Sequence, residues 1–301
     1  MDRILIDSSA ERRILDLRPL GFRDVVVLGR YRYASAHQAL ETHSHGNMLE
    51  VCYLERGRQT YFVGNERFDL NGGDVFINRP GEQHGTGQSP EEKGVLFWML
   101  INVSSGNRRF PSLPPVSWQR LVDALLDMPS RHFRAEKSVG KTLHRVFDVF
   151  DRTDDPLRII ELQNLILRFL LDVLHASRNS PAGITSLMRD MQRFIAENVD
   201  RALTVRELAR QAGLSEPRFK ARFSQEVGVP PAEYVMRRKI DHAKRMFQTG
   251  NASVTEAAMR LGFSSSQYFA TVFRRYTGTT PSRYCKQIRS EGAEKPKKPS
   301  V

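Results

Sequence analysis

Cysteine is almost missing from this chain. Its 301 residues hold two, Cys52 and Cys285, too far apart to suggest a disulfide framework or a thiolate metal site. No apolar run approaches the roughly 18 residues that a membrane-spanning helix needs. Met1–Arg13 mixes acid and base without an apolar stretch, so no secretory signal is expected. The expectation is a reducing, cytoplasmic setting and no membrane partner.

Acid is scarce in one part of the chain only. Residues 184–289 hold 19 Lys+Arg against 9 Asp+Glu, which is +10 of the chain's total of +12. Residues 1–183 are nearly balanced, 24 against 23. A charge excess confined to one segment points to a polyanion bound by that segment.

The same segment contains an internal repeat. Phe219, Phe223, Gly228, Pro231 and Tyr234 return fifty residues later as Phe269, Phe273, Gly278, Pro281 and Tyr284. Ala209 and Gly213 return, one residue out of register, as Ala258 and Gly262. A repeat of this length is a duplicated supersecondary unit. Each copy reads as helix, tight turn, helix. Thr204 with Glu207 and Ser253 with Glu256 fit capping boxes, and Gly213 and Gly262 suit turns at positive φ. Ser215 and either Ser264 or Ser265 are placed to cap the second helices, with Pro217 tolerated in a first turn. The paired phenylalanines fasten each second helix inward. That leaves Arg218, Lys220, Ala221, Ser224 and Gln225 outside in the first unit, and Ser266, Gln267, Ala270, Thr271 and Arg274 in the second. Helix-turn-helix geometry sets such a face in the major groove of double-stranded DNA. Gln suits adenine, Arg suits guanine, and an Ala or Thr methyl suits thymine.

Between the units, Pro231–Gln248 has an apolar stripe of Ala232, Val235, Met236, Ile240, Ala243 and Phe247. Its 18 residues span roughly 27 Å as a helix, against roughly 34 Å between successive major-groove faces. With the width of each unit added, one rigid helix can hold both readers in adjacent grooves. Arg237, Arg238, Lys239, Lys244 and Arg245 fall on its polar side, with Arg237 and Lys244 the candidates for phosphate.

The stretch Leu203–Lys286 resembles the AraC/XylS family of bacterial transcription regulators. The resemblance is carried by Ala258–Phe263, Tyr268-Phe269, Phe273-Arg274-Arg275, Gly278, Thr280-Pro281 and Tyr284. It implies a DNA-binding domain of seven helices whose first unit reads bases more discriminately than its second. It also implies RNA polymerase as a partner, a small organic effector (often a sugar), and activation more often than repression. Ala221 departs from the pattern, because a larger polar side chain often stands there.

The N-terminal half reads as strands at Asp24–Val27, Met48–Leu54, Thr60–Val63, Glu66–Leu70, Asp74–Ile77 and Val95–Val103. Turns are expected at Glu55-Arg56-Gly57, Gly64-Asn65 and Asn71–Asp74. Such a pattern suggests an antiparallel sandwich or barrel. Nearby aromatics (Tyr53, Tyr61, Phe62, Phe76, Phe97, Trp98) read as barrel core. His43 and His45 share one face of an extended segment. With Glu50 and His84 they make a reasonable N/O donor set for a divalent metal. The spacing is similar to the paired motifs of the cupin barrel, with one extra residue between Gly73 and Pro80, and implies a jelly roll with a pocket at its mouth. In metal-binding cupins the matching residues are ligands. The four side chains either hold a divalent metal, bond an effector, or satisfy one another. No cofactor is required for the regulatory reading; a divalent metal in the pocket belongs to the first of these alternatives.

Three helical segments follow, about 117–128, 136–151 and 156–177. The third is apolar on more than one face and so needs more than one partner; core packing accounts for part of this and a homodimer for the rest. Leu170→Glu separates the two, dissociating the dimer if Leu170 faces the partner and unfolding the chain if it is core. The organisation expected is therefore α+β: a cupin-like barrel over 1–110, a helical dimerisation segment over 111–177, a linker over 178–185, a double helix-turn-helix domain over 186–289, and a disordered tail over 290–301. The function expected is a non-enzymatic regulator. The alternative is a metal-dependent cupin enzyme with a DNA-binding appendage, for which no general acid or base can be named. A DNA-repair role would need a reactive cysteine, and neither Cys52 nor Cys285 suits it.

Overall fold

Residues alternate between two buried faces along the strands of the N-terminal half, and that alternation organises it. The computed structural model describes residues 8–104, 110–179, 184–250 and 252–293. The chain divides into two compact units, Met1–Tyr33 with Ala39–Gly183, and Ala34–Gln38 with Ile184–Val301.

The first unit contains β1 (Arg12–Asp16), β2 (Val25–Tyr33), β3 (Met48–Val63), β4 (Glu66–Asn71), β5 (Asp74–Asn78), β6 (His84–Gly85), β7 (Gly94–Asn102) and β8 (His132–Arg134). All pairings are antiparallel, in the order β1-β2-β7-β3-β5-β8, with β4 and β6 also bonded to β3. The first half of β3 lies between β7 and β5, with Glu50 opposite both Leu100 and Asn78. Its last residues turn to pair with β4 and β6. The sheet folds over along this one strand and encloses an interior of Cys52, Leu54, Tyr61, Phe76, Trp98 and Leu100. Leu49, Val51, Tyr53, Phe97 and Met99 face the other way, onto α1 (Pro115–Leu126), α2 (Ser138–Phe150) and α3 (Arg158–Arg178). β7 is apolar throughout because both its faces are covered.

The sheet differs from the sequence reading in four places. The strands expected at Met48–Leu54 and Thr60–Val63 are one strand. Glu55-Arg56-Gly57 does not reverse the chain but makes a register shift between Leu54 and Arg56. The strand expected to end at Val27 continues to Tyr33. The short strands β1, β6 and β8 had no counterpart, and β8 lies in the gap between the first two segments read as helical. Of the aromatics read as barrel core, Tyr61, Phe76 and Trp98 line the interior, whereas Tyr53 and Phe97 pack against the helices.

The second unit is helical: α4 (Ser186–Glu197), α5 (Val205–Gln211), α6 (Glu216–Val227), α7 (Pro231–Gln248), α8 (Val254–Arg260), α9 (Ser266–Thr277) and α10 (Pro281–Ala293). These are the seven expected, and the α+β architecture is as expected too. Two cores form. Met188, Ile195, Leu208, Phe219, Phe223 and Val235 make the first; Val199, Ile240, Ala243, Phe247, Phe269 and Phe273 make the second. Each fully buried Phe contributes about 1.5–3 kcal/mol relative to exposure. At the ends of the helical segments, α3 runs to Arg178, inside the expected linker, and α10 carries the start of the expected tail as helix. Linker residues 180–183 and tail residues 294–301 lie outside the described residues.

Candidate nucleic-acid interface and polar cluster

Both helix-turn-helix units are built by the same local devices. Gly213 and Gly262 each take φ of 66°. The residue after each glycine bonds back across the turn, Leu214 N–H to the Ala209 carbonyl and Phe263 N–H to that of Ala258, both at 3.0 Å. Ser253 and Glu256 close a reciprocal capping box. In the first unit Thr204 accepts from the Glu207 amide at 3.2 Å, while the Glu207 carboxylate pairs with Arg201 at 2.7 Å. Ser265 caps α9 by accepting from Tyr268 N–H. Ser215 stands at the cap of α6, but its hydroxyl makes no cap bond. The Phe219–Phe223 and Phe269–Phe273 ring pairs, 5.4 and 5.6 Å apart, hold α6 and α9 inward.

The outer faces are as the pattern places them, with one grading. Arg218, Lys220, Ala221 and Gln225 of α6 are exposed, and Ser224 is half-buried. Gln267, Thr271 and Arg274 of α9 are exposed, and Ser266 and Ala270 are half-buried. Lys220 is held 2.5 Å from Glu216 one turn earlier, and the Thr271 hydroxyl donates to the Gln267 carbonyl.

The connecting helix corrects the sequence reading. Arg237 is 4% exposed, paired with Glu233 at 3.0 Å, and lies over the Tyr276 ring. Lys239, also placed on the polar side, is 3% exposed and donates to the Leu261 carbonyl. Neither is placed for phosphate. Lys244 is half-buried. Tyr268 and Arg275, which the sequence reading did not place on the outer face, are also exposed on α9. They are the fifty-residue mates of Arg218 and Gln225, so the repeat register itself could have found them.

In the first unit the four residues of the donor set come together inside the folded sheet. His43 and His84 bridge two backbone segments. A ligating atom of His43, His45 and His84 lies within 4.8 Å of each of the others. His84 Nε2 is 3.2 Å, and His45 Nε2 3.7 Å, from the Glu50 carboxylate. Asn78 donates its amide to the same carboxylate at 2.6 Å. His43 and His84 donate Nδ1–H to the carbonyls of Glu41 and Glu82, at 2.9 and 3.0 Å. A carbonyl can only accept, so each neutral ring keeps its lone pair on Nε2. Nε2 of His45 and of His84 are buried without a hydrogen-bond partner.

Charges within the cluster reinforce one another. Burial alone would push Glu50 toward protonation, but the adjacent His45 and His84 outweigh it and hold its carboxyl well below the usual range. His84 is opposed by burial and raised by Glu50, whereas burial lowers His43. Burial, then the Glu50 charge, pushes the neighbouring Cys52 thiol up, which makes it a poor nucleophile.

The donor types suit a divalent transition metal. Two bonds of about 2.0–2.2 Å span at most roughly 4.4 Å, so the widest separation would have to close slightly.

Two family matches cover these regions. Residues 26–108 match the AraC-like ligand binding domain, and residues 208–287 match a helix-turn-helix domain. The HTH-type transcriptional activator RhaS of Salmonella heidelberg (strain SL476) is 24% identical over 258 residues, 81% of this chain and 87% of that protein. The virulence regulon transcriptional activator VirF of Yersinia enterocolitica is 27% identical over 238 residues, 76% of this chain and 86% of its own. Among solved structures, ToxT from Vibrio cholerae O395 is 14% identical, covering 87% of this chain and 97% of its own at a TM-score of 0.35, too loose to carry positions across. RhaS and VirF are transcriptional activators, and the enzyme alternative finds no support in them or in the two family matches. No helix among the described residues is long and apolar enough to cross a membrane.

Proposed function

Because this chain belongs to the AraC family of transcription regulators, we propose that it is a cytoplasmic activator whose two helix-turn-helix units read adjacent major-groove segments. The observation that carries this reading is the pair of outward polar faces, on α6 and α9, presented by two units that share α7. The basic excess of the same segment supports a DNA partner. Arg218, Lys220, Ala221, Ser224, Gln225, Ser266, Gln267, Ala270, Thr271 and Arg274 are the base-reading and groove-lining set, and Lys244 remains the phosphate candidate on α7. RNA polymerase is the partner through which such a regulator activates.

The sheet interior senses a small organic molecule, a sugar or sugar derivative in the reading favoured here. His43, His45, Glu50 and His84 contact it, directly or through a divalent metal. The backbone carbonyls that fix Nδ1 of His43 and His84 favour the metal route, because that is the usual outer-shell arrangement of metal-bound histidine; a metal would take the place of the proton that Glu50 draws onto His84. A bound metal would supply an electrophilic centre for hydroxyl or carboxylate oxygens of the effector.

A homodimer forms through α3. Ile160 and Leu171 are 62% and 44% exposed, with Leu167 partly buried beside them. Leu170 is not on that face: it is fully buried in the core between sheet and helices, so it is core and does not face a partner.

Selection of bound fragments from genomic DNA by the purified chain tests the reading. A common sequence with two separated segments is expected. Recovery of fragments without a shared sequence would refute it.

A further inference from the structure

We infer that Lys239 and Arg237 are positioning residues which fix the offset between the two recognition helices, and so the spacing of the DNA segments this protein accepts. The inference rests on the reading that both units bind DNA.

α7 belongs to both units. Val235 lies in the first core; Ile240, Ala243 and Phe247 lie in the second. A shared apolar helix alone would let the second unit rock about its axis, because apolar contacts are not directional. Two buried cations remove that freedom. Lys239 Nζ donates to the Leu261 carbonyl at 2.5 Å and lies 5.5 Å over the Phe263 ring. Leu261 ends α8 and opens the turn into α9, so this tie holds the turn itself. The turn has no slack on its other side. A Cβ at Gly262 would sit 3.3 Å from the Ala202 backbone nitrogen and 3.6 Å from Lys239 Nζ. Ala202 lies in the segment joining α4 to α5, so the second unit's turn is wedged between α7 and that segment. The second tie is at the far end of α9, where Arg237 stacks 5.2 Å over Tyr276 while Glu233 holds its guanidinium.

Burying an ammonium against a carbonyl, with the Asp200 charge favouring it too weakly to offset its burial, is an expensive way to obtain stability, and an apolar residue of similar size costs less. Burial accordingly draws Lys239 below its ordinary pKa. What a directional cation gives and an apolar side chain does not is one fixed geometry. Offset matters because one added base pair rotates the second segment by about 34° at roughly 10.5 base pairs per turn. A rigid pair of readers cannot follow that rotation.

The test uses the full chain and the site recovered by selection with the wild type. Base pairs are inserted or deleted singly between the two protected segments. The wild type should lose about 10-fold or more in affinity for each one-pair change. Lys239→Met should flatten that penalty to within about 3-fold, because the second unit then behaves as a loosely tethered module, and Lys239→Arg should restore it. Affinity for DNA carrying one segment should be the same in all three proteins. A folded Lys239→Met protein with the wild-type spacing penalty overturns the proposal. Should that variant fail to fold, Arg237→Leu gives the same readout, and an unchanged spacing profile there overturns it equally. A wild type that selects no common sequence refutes the two-reader function instead, a result distinct from either.

Discussion

The guanidinium of Arg237 lies 5.2 Å over the ring of Tyr276, so a cation placed on the DNA side by helical periodicity instead fastens the connecting helix to the second recognition helix. Replacing it should therefore cost stability and leave the salt dependence of DNA binding alone. Arg237→Ala removes the ion pair with Glu233 and the contact with the Tyr276 ring, and a loss of about 1.5–3 kcal/mol is expected in denaturant unfolding. Lys244→Ala should instead reduce the slope of log affinity against log salt by about 0.9. An unaltered slope for Lys244→Ala would take it off the phosphate.

Gln267 is exposed in the first turn of α9, where helix-turn-helix proteins contact base edges. Gln267→Ala is expected to relax preference at one base pair, by about 1–3 kcal/mol for a bidentate contact. Binding to a randomised site measures it. An identical preference profile removes Gln267 from the readers.

Ile160 and Leu171 separate from Leu170 in what substitution should do. Leu171→Glu is expected to give a folded monomer in sedimentation, whereas Leu170→Glu should prevent folding, because Leu170 is fully buried. A wild-type monomer, with and without DNA, would refute the dimer.

Glu226 is a pH-dependent tie within the DNA-binding unit. It accepts from Thr185 N–H and hydroxyl at 2.9 and 2.6 Å and from Arg222 at 2.8 Å. Burial opposes its ionisation, but these bonds outweigh it and hold its pKa below the ordinary value. A depressed carboxylate contributes its full stability above the unfolded pKa of about 4.3 and loses it as pH falls through the folded value. Glu226→Gln should therefore melt lower than wild type at neutral pH, with the gap closing below about pH 4. A gap constant from pH 7 to 3 would contradict this.

The convergence of His43, His45, His84 and Glu50 gives a metal prediction independent of any effector. Chain purified without a His-tag is expected to retain a divalent metal on dialysis, and His84→Ala to lose it. Metal-free wild type that still responds to its effector would leave direct contact as the role of the cluster.

How much of this the sequence made legible depends on how local each signal is. The helix-turn-helix units are fully specified within fifty residues by caps, glycines and phenylalanine pairs, and they were found. The donor cluster was found because His43 and His45 share one side of a short extended segment and the cupin-like spacing adds Glu50 and His84; the turn at Gly46-Asn47, between that segment and β3, lets Glu50 join them. α7 was misjudged because a single apolar stripe was assumed. That helix is buried on several sides, since two cores share it, and Arg237 and Lys239 fall on the side that only the second unit covers. β8 is three residues long, too short for any periodicity, and only its pairing with β5 defines it. Glu55-Arg56-Gly57 has turn chemistry, but β7 pairs with β3 on either side of it, through Leu54 and again from Arg56, and converts the expected reversal into a bulge.

The central claim is that this chain distinguishes one DNA sequence from another. Its most direct test is the ratio of affinities for the selected site and for a scrambled duplex of equal length, measured at physiological salt. A ratio of about 1,000 or more is predicted for a specific regulator. Equal affinities, both in the roughly 10⁻⁴–10⁻⁶ M range of charge-driven binding, would contradict it.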